Sequence, residues 1–369
     1  MTILAPFTVP TQSDAFRPFD LRCEDTDSPQ LVDTPLPRFS WKLESPERGV
    51  TQTAYRIRIH PLDAKGDPVG EAIESPLVAS STSQWVSLPG FTAIPQTRYR
   101  WQVQVEDNHG RNSGWSEAAE FETSLLDRDW RADWISDGRP VALEADPPAR
   151  YLRKDFDLPF DPVQAKLYLS AFGLAEPWLN GAKVTEDFFL PGWPDYRKRN
   201  FYVAYDVTKQ IKSGANSFGI VLGDGWYSGT LFPSHQYDPI AKVSGWLEIT
   251  DADGETLIVP TDQSWRWREG PITAQGIYFG ENFDARLDDP SWCQSGNATS
   301  DWQPVAVQPP IDVPLQARHS PPVRRIEELT PQSVTEIRPG VFIYDLGQNM
   351  VGWVRLQLEA PAGQQVTLR

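Results

Sequence analysis

Cysteine is almost absent: Cys23 and Cys293 are the only two in 369 residues. A disulfide scaffold is excluded, and so is a zinc site built on cysteine spacing. Helical periodicity is missing too. Nowhere do twelve residues in a row place apolar side chains at i, i+3, i+4 and i+7, so no long helix is expected. No run is long and apolar enough to span a membrane. The N-terminus, MTILAPFTVPTQSDAF, lacks the basic start and apolar core of a signal peptide, which makes the cytoplasm the expected location. Basic charge is short, with 34 Lys and Arg against 50 Asp and Glu, a net −16. That argues against nucleic acid or an anionic membrane as partner. His60, His109, His235 and His319 are scattered, and none has a Cys, Asp or Glu at metal spacing. There is no Gly-x-Ser-x-Gly, phosphate-loop or dinucleotide motif.

What is plentiful is turn formers and large rings: 34 Pro, 25 Gly and 15 Trp, with 40 % hydrophobic residues for packed cores. The pattern suits many short strands, and the length suits two or three domains. Residues 1–16 read as a loose tail. Residues 17–124 read as a sandwich of immunoglobulin or fibronectin type III kind. Within it Tyr99, Trp101, Val103 and Val105 alternate with Arg100, Gln102 and Gln104, as on a half-buried strand. Residues 125–134 form a charged, Trp-bearing connector. A second β unit runs over 131–306, with strands expected at Tyr151–Leu158, Ala165–Phe172, Asn200–Asp206, Ser217–Leu222, Lys242–Thr250 and Thr256–Val259. Asn180-Gly181 and Asp253-Gly254 signal hairpins, because a type I′ turn needs positive φ at both central residues. Val207–Gly214 suggests a short helical turn stopped by Gly214. Residues 307–322 are Pro-rich and read as a linker. Residues 323–369 return to β pattern at Val341–Tyr344, Trp353–Leu358 and Gln365–Leu368, a sandwich begun and not finished.

The stretch 180–229 sets Trp193, Tyr196, Phe201, Tyr202, Tyr205, Trp226 and Tyr227 among Gly, Asp and Asn with no helical spacing. Rings on turns beside carboxylates and amides suit a sugar, since a pyranose offers an apolar face and a rim of hydroxyls. For Trp193, Asp195, Tyr196, Asp224, Trp226 and Tyr227 two readings stand. They form a sugar platform, or they are core aromatics at strand ends with Asp195 capping a turn. Glu281, Asp284 and Asp288 are the densest carboxylate cluster. Glu281 and Asp284 fall on opposite faces of a strand, and Arg286 shares a face with Asp284, so an ion pair is expected there.

In combination and in order, several strings make the chain resemble the N-terminal, non-catalytic half of the bacterial and fungal α-L-rhamnosidase family. They are Phe39-Ser-Trp41, Tyr99–Trp101 with Trp115, Trp130 to Trp134, Leu179-Asn-Gly181, Pro191-Gly-Trp193-Pro-Asp195-Tyr196, Tyr205-Asp-Val-Thr208, Leu222-Gly-Asp224-Gly-Trp226-Tyr227, Ile277 to Arg286, and Tyr344 to Asn349. The resemblance covers roughly 17–369. It implies an all-β chain of tandem sandwiches: fibronectin- or immunoglobulin-like, then a galactose-binding-like jelly roll, then the start of a concanavalin-like sandwich. It implies that the jelly roll is accessory and, as in some members, binds L-rhamnose with calcium. Asn180 and Asp195 are the calcium candidates, Asp206 and Asp224 offer further oxygens, and Asn180 reads better as a plain hairpin residue. It also implies inverting hydrolysis of terminal α-L-rhamnosides by two Glu on an (α/α)₆ barrel, a mechanism that spaces its carboxyls about 6.5–9.5 Å apart. Such a barrel needs helical sequence that these residues do not contain. The expectation is an accessory region, inactive alone, whose partner is the missing catalytic domain. The alternatives are a free-standing rhamnose-binding lectin and a small complete glycosidase using Glu281, Asp284 and Asp288.

Overall fold

The computed structural model describes residues 16–142, 145–230, 237–297, 300–361 and 363–368. The chain is almost entirely β and divides into two compact units, Met1–Pro321 and Pro322–Arg369.

The first unit begins with an immunoglobulin-like sandwich. One sheet has the order Arg17–Cys23, Arg38–Glu44, Val86–Ser87. The other is built on Gln52–Pro61 paired antiparallel with Arg98–Asp107. Tyr99, Trp101, Val103 and Val105 are all buried, as alternation requires, and pack with Phe39, Ile57, Ile59 and Phe121. Phe16 is buried in this core, so the domain starts inside the stretch read as tail, and residues 1–15 lie outside the described residues.

The jelly roll follows. Its seven-stranded sheet runs Ala306–Gln308, Trp134–Ser136, Lys242–Thr250, Gln164–Phe172, Asn200–Asp206, Leu315–Ala317, with Thr256–Pro260 beside Lys242–Thr250. Its six-stranded sheet runs Ala182–Lys183, Leu174–Leu179, Gly214–Gly223, Arg150–Leu158, Arg266–Glu269, Gln303–Pro304. Leu152, Leu167, Leu169, Phe218, Ile220, Val243, Leu247 and Trp265 fill the space between them. Two edge strands, Ala306–Gln308 and Leu315–Ala317, come from the stretch read as linker or its border. Asn180 and Gly181 both have positive φ, 51° and 86°, as the hairpin signal demands. At Asp253-Gly254 only Gly254 does; the Asp251 carboxylate accepts from the N–H groups of Asp253 and Glu255 and shapes a longer loop. The helical turn after Val207 is a 3₁₀ turn, Thr208–Gln210.

Both outer faces of the jelly roll are covered. Tyr168, Tyr202 and Trp246 of the seven-stranded sheet pack against Leu125, Trp130 and Ala132 of the connector. Trp130 Nε1 donates to Ser244 Oγ at 2.7 Å, Gln96 Nε2 to the Tyr168 hydroxyl at 2.9 Å, and Lys166 pairs with Glu122. The six-stranded sheet is capped by Trp292, Cys293 and Trp302 over Tyr151. The buried Arg153 guanidinium holds that cap by donating to the carbonyls of Trp292 and Gln294 at 3.0 and 2.7 Å.

Among its described residues the second unit contains one hairpin, Ser333–Arg338 with Val341–Asp345, whose residues are mostly exposed. The strands expected at 353–358 and 365–368 do not form. An apolar alternating segment becomes a strand only when a neighbour accepts its ladder, and no ladder reaches these residues.

Candidate functional site

The jelly roll has two rims. Leu174 pairs with Gly223 and Leu179 with Phe218, so Gly173 and Asp224 lie at one rim and Asn180 at the other, with the Leu174–Leu179 strand between them spanning roughly 17 Å at about 3.3 Å per residue. Excursions leave the rim of Asp224 after Gly223 and after Glu269, and the chain from Val184 starts opposite Pro177 and reaches the same rim at Leu190, whose carbonyl accepts from the Ala175 N–H. That rim gathers most of the residues singled out in the sequence and separates them from Asn180.

On this rim Trp193 and Trp226 stack with ring centroids 5.1 Å apart and planes 4° from parallel. Phe189 packs against Trp226 from another side at 5.5 Å. Trp226 is therefore the half-buried backing ring, while Trp193 and Phe189 stand exposed. Tyr196 and Tyr227 are interior instead. They touch each other at 5.0 Å and Phe172 at 5.7 and 4.7 Å, and burial pushes both phenols well above their ordinary range. Both are buried beneath the rim. Asp195 is half-exposed on the turn after Trp193; its carbonyl accepts from the N–H of Lys198, and its carboxylate accepts from the Arg197 N–H at 3.2 Å. The guanidinium of Arg197 and the ammonium of Lys198 stand 3.8 and 3.7 Å from that carboxylate. Arg197 also lies over the Tyr237 ring at 5.4 Å.

Asp224 is a structural carboxylate. It accepts from Arg150 Nη1 at 2.6 Å and from Gln275 Nε2 at 2.5 Å, and Arg150 Nε reaches Asp137 at 3.2 Å. The Arg150 side chain is 2 % exposed and the two carboxylates 1 % each. Arg139 extends the chain of charges from Asp137 to Glu269 at 2.7 and 2.8 Å. Burial raises the Asp224 carboxyl above its ordinary value, although Arg150 and Gln275 act to lower it.

The donor set does not suit a calcium ion. The Asn180 side-chain oxygen already accepts from Ser217 N–H at 2.9 Å, and its amide donates to Gln210 O at 2.8 Å and Asn216 Oδ1 at 2.9 Å. Asp195 sits on the other rim, and the Asp206 carboxylate caps the turn at Thr208. Among the described residues no three His, Cys, Asp or Glu side chains gather to hold a metal. His235 lies outside the described residues.

Glu281, Asp284 and Asp288 lie on and after a separate hairpin, Ile272–Gly276 with Gly280–Phe283. The expected ion pair is present: Arg286 donates Nε and Nη2 to Asp284 at 2.8 and 2.6 Å. It holds that carboxyl down at about 2. A catalytic acid needs a raised carboxyl in a sheltered site, and this one is lowered and solvent-facing.

Sequence reasoning missed Phe189, Gln275, Arg150 and Asp137. Phe189 was legible as a third large ring four residues before Trp193. Arg150 and Asp137 give no local signal, because only the folded sheet brings them beside Asp224.

Fold and rim together define a class: a tandem of β-sandwiches with one aromatic end, a layout for binding or docking. Family models narrow it. The immunoglobulin domain of Rha78A-like proteins matches residues 18–127, the α-L-rhamnosidase N-terminal domain 161–327, and the bacterial α-L-rhamnosidase concanavalin-like domain 335–369. An α-L-rhamnosidase of Alteromonas is 33 % identical over 350 residues, covering 90 % of this chain and 38 % of its own. The native α-L-rhamnosidase structure from Aspergillus terreus superposes with a TM-score of 0.84 at 30 % identity, over 92 % of this chain and 39 % of that one. The Streptomyces avermitilis α-L-rhamnosidase complexed with L-rhamnose gives 0.82 at 26 %, over 91 % and 49 %. The chain belongs to the α-L-rhamnosidase family, and matches the N-terminal domains of its members. It spans about two fifths of the length of the first two of these relatives.

Proposed function

We propose that these domains serve an enzyme that hydrolyses terminal α-L-rhamnosides, and that the jelly roll holds a rhamnose-type pyranose against Trp193. The observation that carries the second half is the Trp193–Trp226 stack. A lone exposed indole swings freely. One fixed within 4° of a backing ring presents a flat face at no further ordering cost. The 6-deoxy sugar lays its apolar face on that ring while its hydroxyls reach the Asp195 carboxylate and the Arg197 guanidinium. One ring and two or three solvated hydrogen bonds support a Kd of about 1 mM, near −4 kcal/mol. Hydrolysis itself is assigned to residues outside this chain, since Asp284 is bound to Arg286 and its neighbours stand in open solvent.

Calorimetric titration with L-rhamnose tests the binding. Trp193→Ala abolishes the heat while leaving the fold intact, because that ring is half-exposed. Trp226→Ala weakens binding and lowers stability, because it removes the backing. Equal affinity in Trp193→Ala and the wild type would sink the platform. Incubation of the chain with p-nitrophenyl α-L-rhamnoside releases no nitrophenol; clear turnover would refute its assignment as an accessory region.

A further inference from the structure

The hairpin Ile272–Gly276 with Gly280–Phe283 belongs to neither sheet of the jelly roll. Its base is fixed. Gln275 donates to the buried Asp224, Ala149 N–H donates to Ile272 O at 3.1 Å, and Asp284 N–H donates to Pro271 O at 2.8 Å. Large apolar side chains stand exposed along it: Tyr278 and Phe279 at its tip, Phe283 opposite Ile272 at its base and Leu287 just beyond each leave more than half of their surface to solvent. Together they expose about 400 Å² of mostly apolar side chain, the size of patch that marks an interaction site. A single sugar ring covers one such side chain, not four. A free complex needs about 800 Å² on each partner, twice what this hairpin offers. A partner tethered to the same polypeptide needs less, since tethering supplies an effective concentration of about 1 mM.

We infer that this hairpin is a docking arm for a further domain of the same enzyme, of the kind that makes up the unmatched three fifths of the Alteromonas relative. The inference rests on the reading of this chain as the accessory region of a longer α-L-rhamnosidase. The receiving surface is apolar at its centre and basic at its margin, because Glu281, Asp284 and Asp288 outnumber Arg286 around the exposed rings. The Asp284–Arg286 pair fixes the turn that carries Leu287.

Hydroxyl-radical footprinting tests this by comparing residues 1–369 alone with a full-length product in which they are joined to the unmatched three fifths of the Alteromonas relative. Oxidation of Tyr278, Phe279 and Phe283 falls about fivefold in the full-length product when the patch is covered. A Phe279→Ser/Phe283→Ser double variant leaves the melting temperature of residues 1–369 unchanged and lowers that of the full-length product. Turnover of p-nitrophenyl α-L-rhamnoside by the full-length product is read alongside, so the two readings fail separately. Turnover with equal oxidation in both proteins overturns the docking arm alone, whereas absence of turnover overturns the enzyme assignment. Protection of residues 1–369 that grows with their own concentration, or that appears only with added L-rhamnose, overturns the arm in favour of a second copy or a sugar.

Discussion

Replacing Arg150 by Leu is the sharpest test of how the rim is held. The variant leaves two carboxylates, Asp137 and Asp224, each 1 % exposed, without the guanidinium that lies between them. Asp137 keeps Arg139 at 2.7 Å and Asp224 keeps Gln275 at 2.5 Å, so neither is wholly abandoned. Removing one partner of a buried ion pair costs about 3–5 kcal/mol, and the remaining partners place this case near the lower bound. At 2–4 °C per kcal/mol for a unit of this size, the melting temperature falls by about 10 °C. The loss also depends on pH. Burial already raises the Asp224 carboxyl above 3.8, and Arg150 opposes that rise. Without Arg150 the folded-state value climbs further. A carboxyl raised on folding gives stability that is full below its unfolded value and lost as pH rises through its folded value. The deficit is therefore largest at about pH 7.5 and shrinks towards about pH 5. Urea unfolding of both proteins at the two pH values measures it. A loss under about 1 kcal/mol, or a deficit that grows on acidification, would refute the reasoning.

Asn180→Ala loses three hydrogen bonds and costs about 2 kcal/mol in urea unfolding. Asn180→Gly, which suits the φ of 51°, loses nearly as much, showing that the bonds rather than the backbone carry the effect. Millimolar calcium leaves the wild-type melting temperature within about 1 °C, and a saturable rise would reveal a cation site that the donor geometry does not provide. Carbon-detected NMR is expected to find the Asp284 carboxyl at about 2, rising in Arg286→Gln towards but not reaching about 3.9, because the N–H of residue 286 still donates to it. The pair gives stability above the unfolded value that is lost as pH falls through about 2, and an unshifted titration would dissolve the pair. Trp130→Ala removes the ring packed on Tyr202 and Trp246 at 5.6 and 4.6 Å. It costs about 3 kcal/mol and splits one calorimetric transition into two, as the immunoglobulin-like domain and the jelly roll uncouple.

Much of the fold is legible where alternation is strong. Tyr99 to Val105 reads correctly because one face is buried and one is not, and Lys242–Thr250 matches its expected bounds. Leu174–Leu179 escapes because Pro177 sits inside it and Gly173 precedes it; a strand with a proline reads as a breaker until its hydrogen-bonded neighbour is known. The opposite error falls at Trp353–Leu358, where alternation is good and no ladder forms. The aromatic stretch predicts a cluster but not its sorting. Trp193 and Tyr196 are three residues apart, yet one is exposed and the other buried, because the chain turns between them. Asp195 matches the turn-capping expectation, whereas Asp224 looks alike in sequence and is committed to Arg150.

The sorting has a cause in the architecture. A jelly roll presents two sheet faces and two rims. Here the connector covers one outer face with Trp130 and Leu125, and Trp292, Cys293 and Trp302 cover the other. Contact surface is then left mainly to the rims. At the Asn180 rim the turns are short and self-satisfied, as the Asn180–Asn216–Gln210 bonds show. At the Asp224 rim the loops are long and the charges that fix them are buried beneath. Apart from Val307, the large exposed apolar side chains described in the jelly roll lie on this rim's excursions: Phe189 and Trp193 on one, Tyr278, Phe279, Phe283 and Leu287 on another. Asp224 ties the two together, since the turn it opens carries Trp226 and its carboxylate takes the amide of Gln275 at the hairpin base. A perturbation at Arg150 should therefore disturb sugar contact and domain docking at once, although Arg150 touches neither surface.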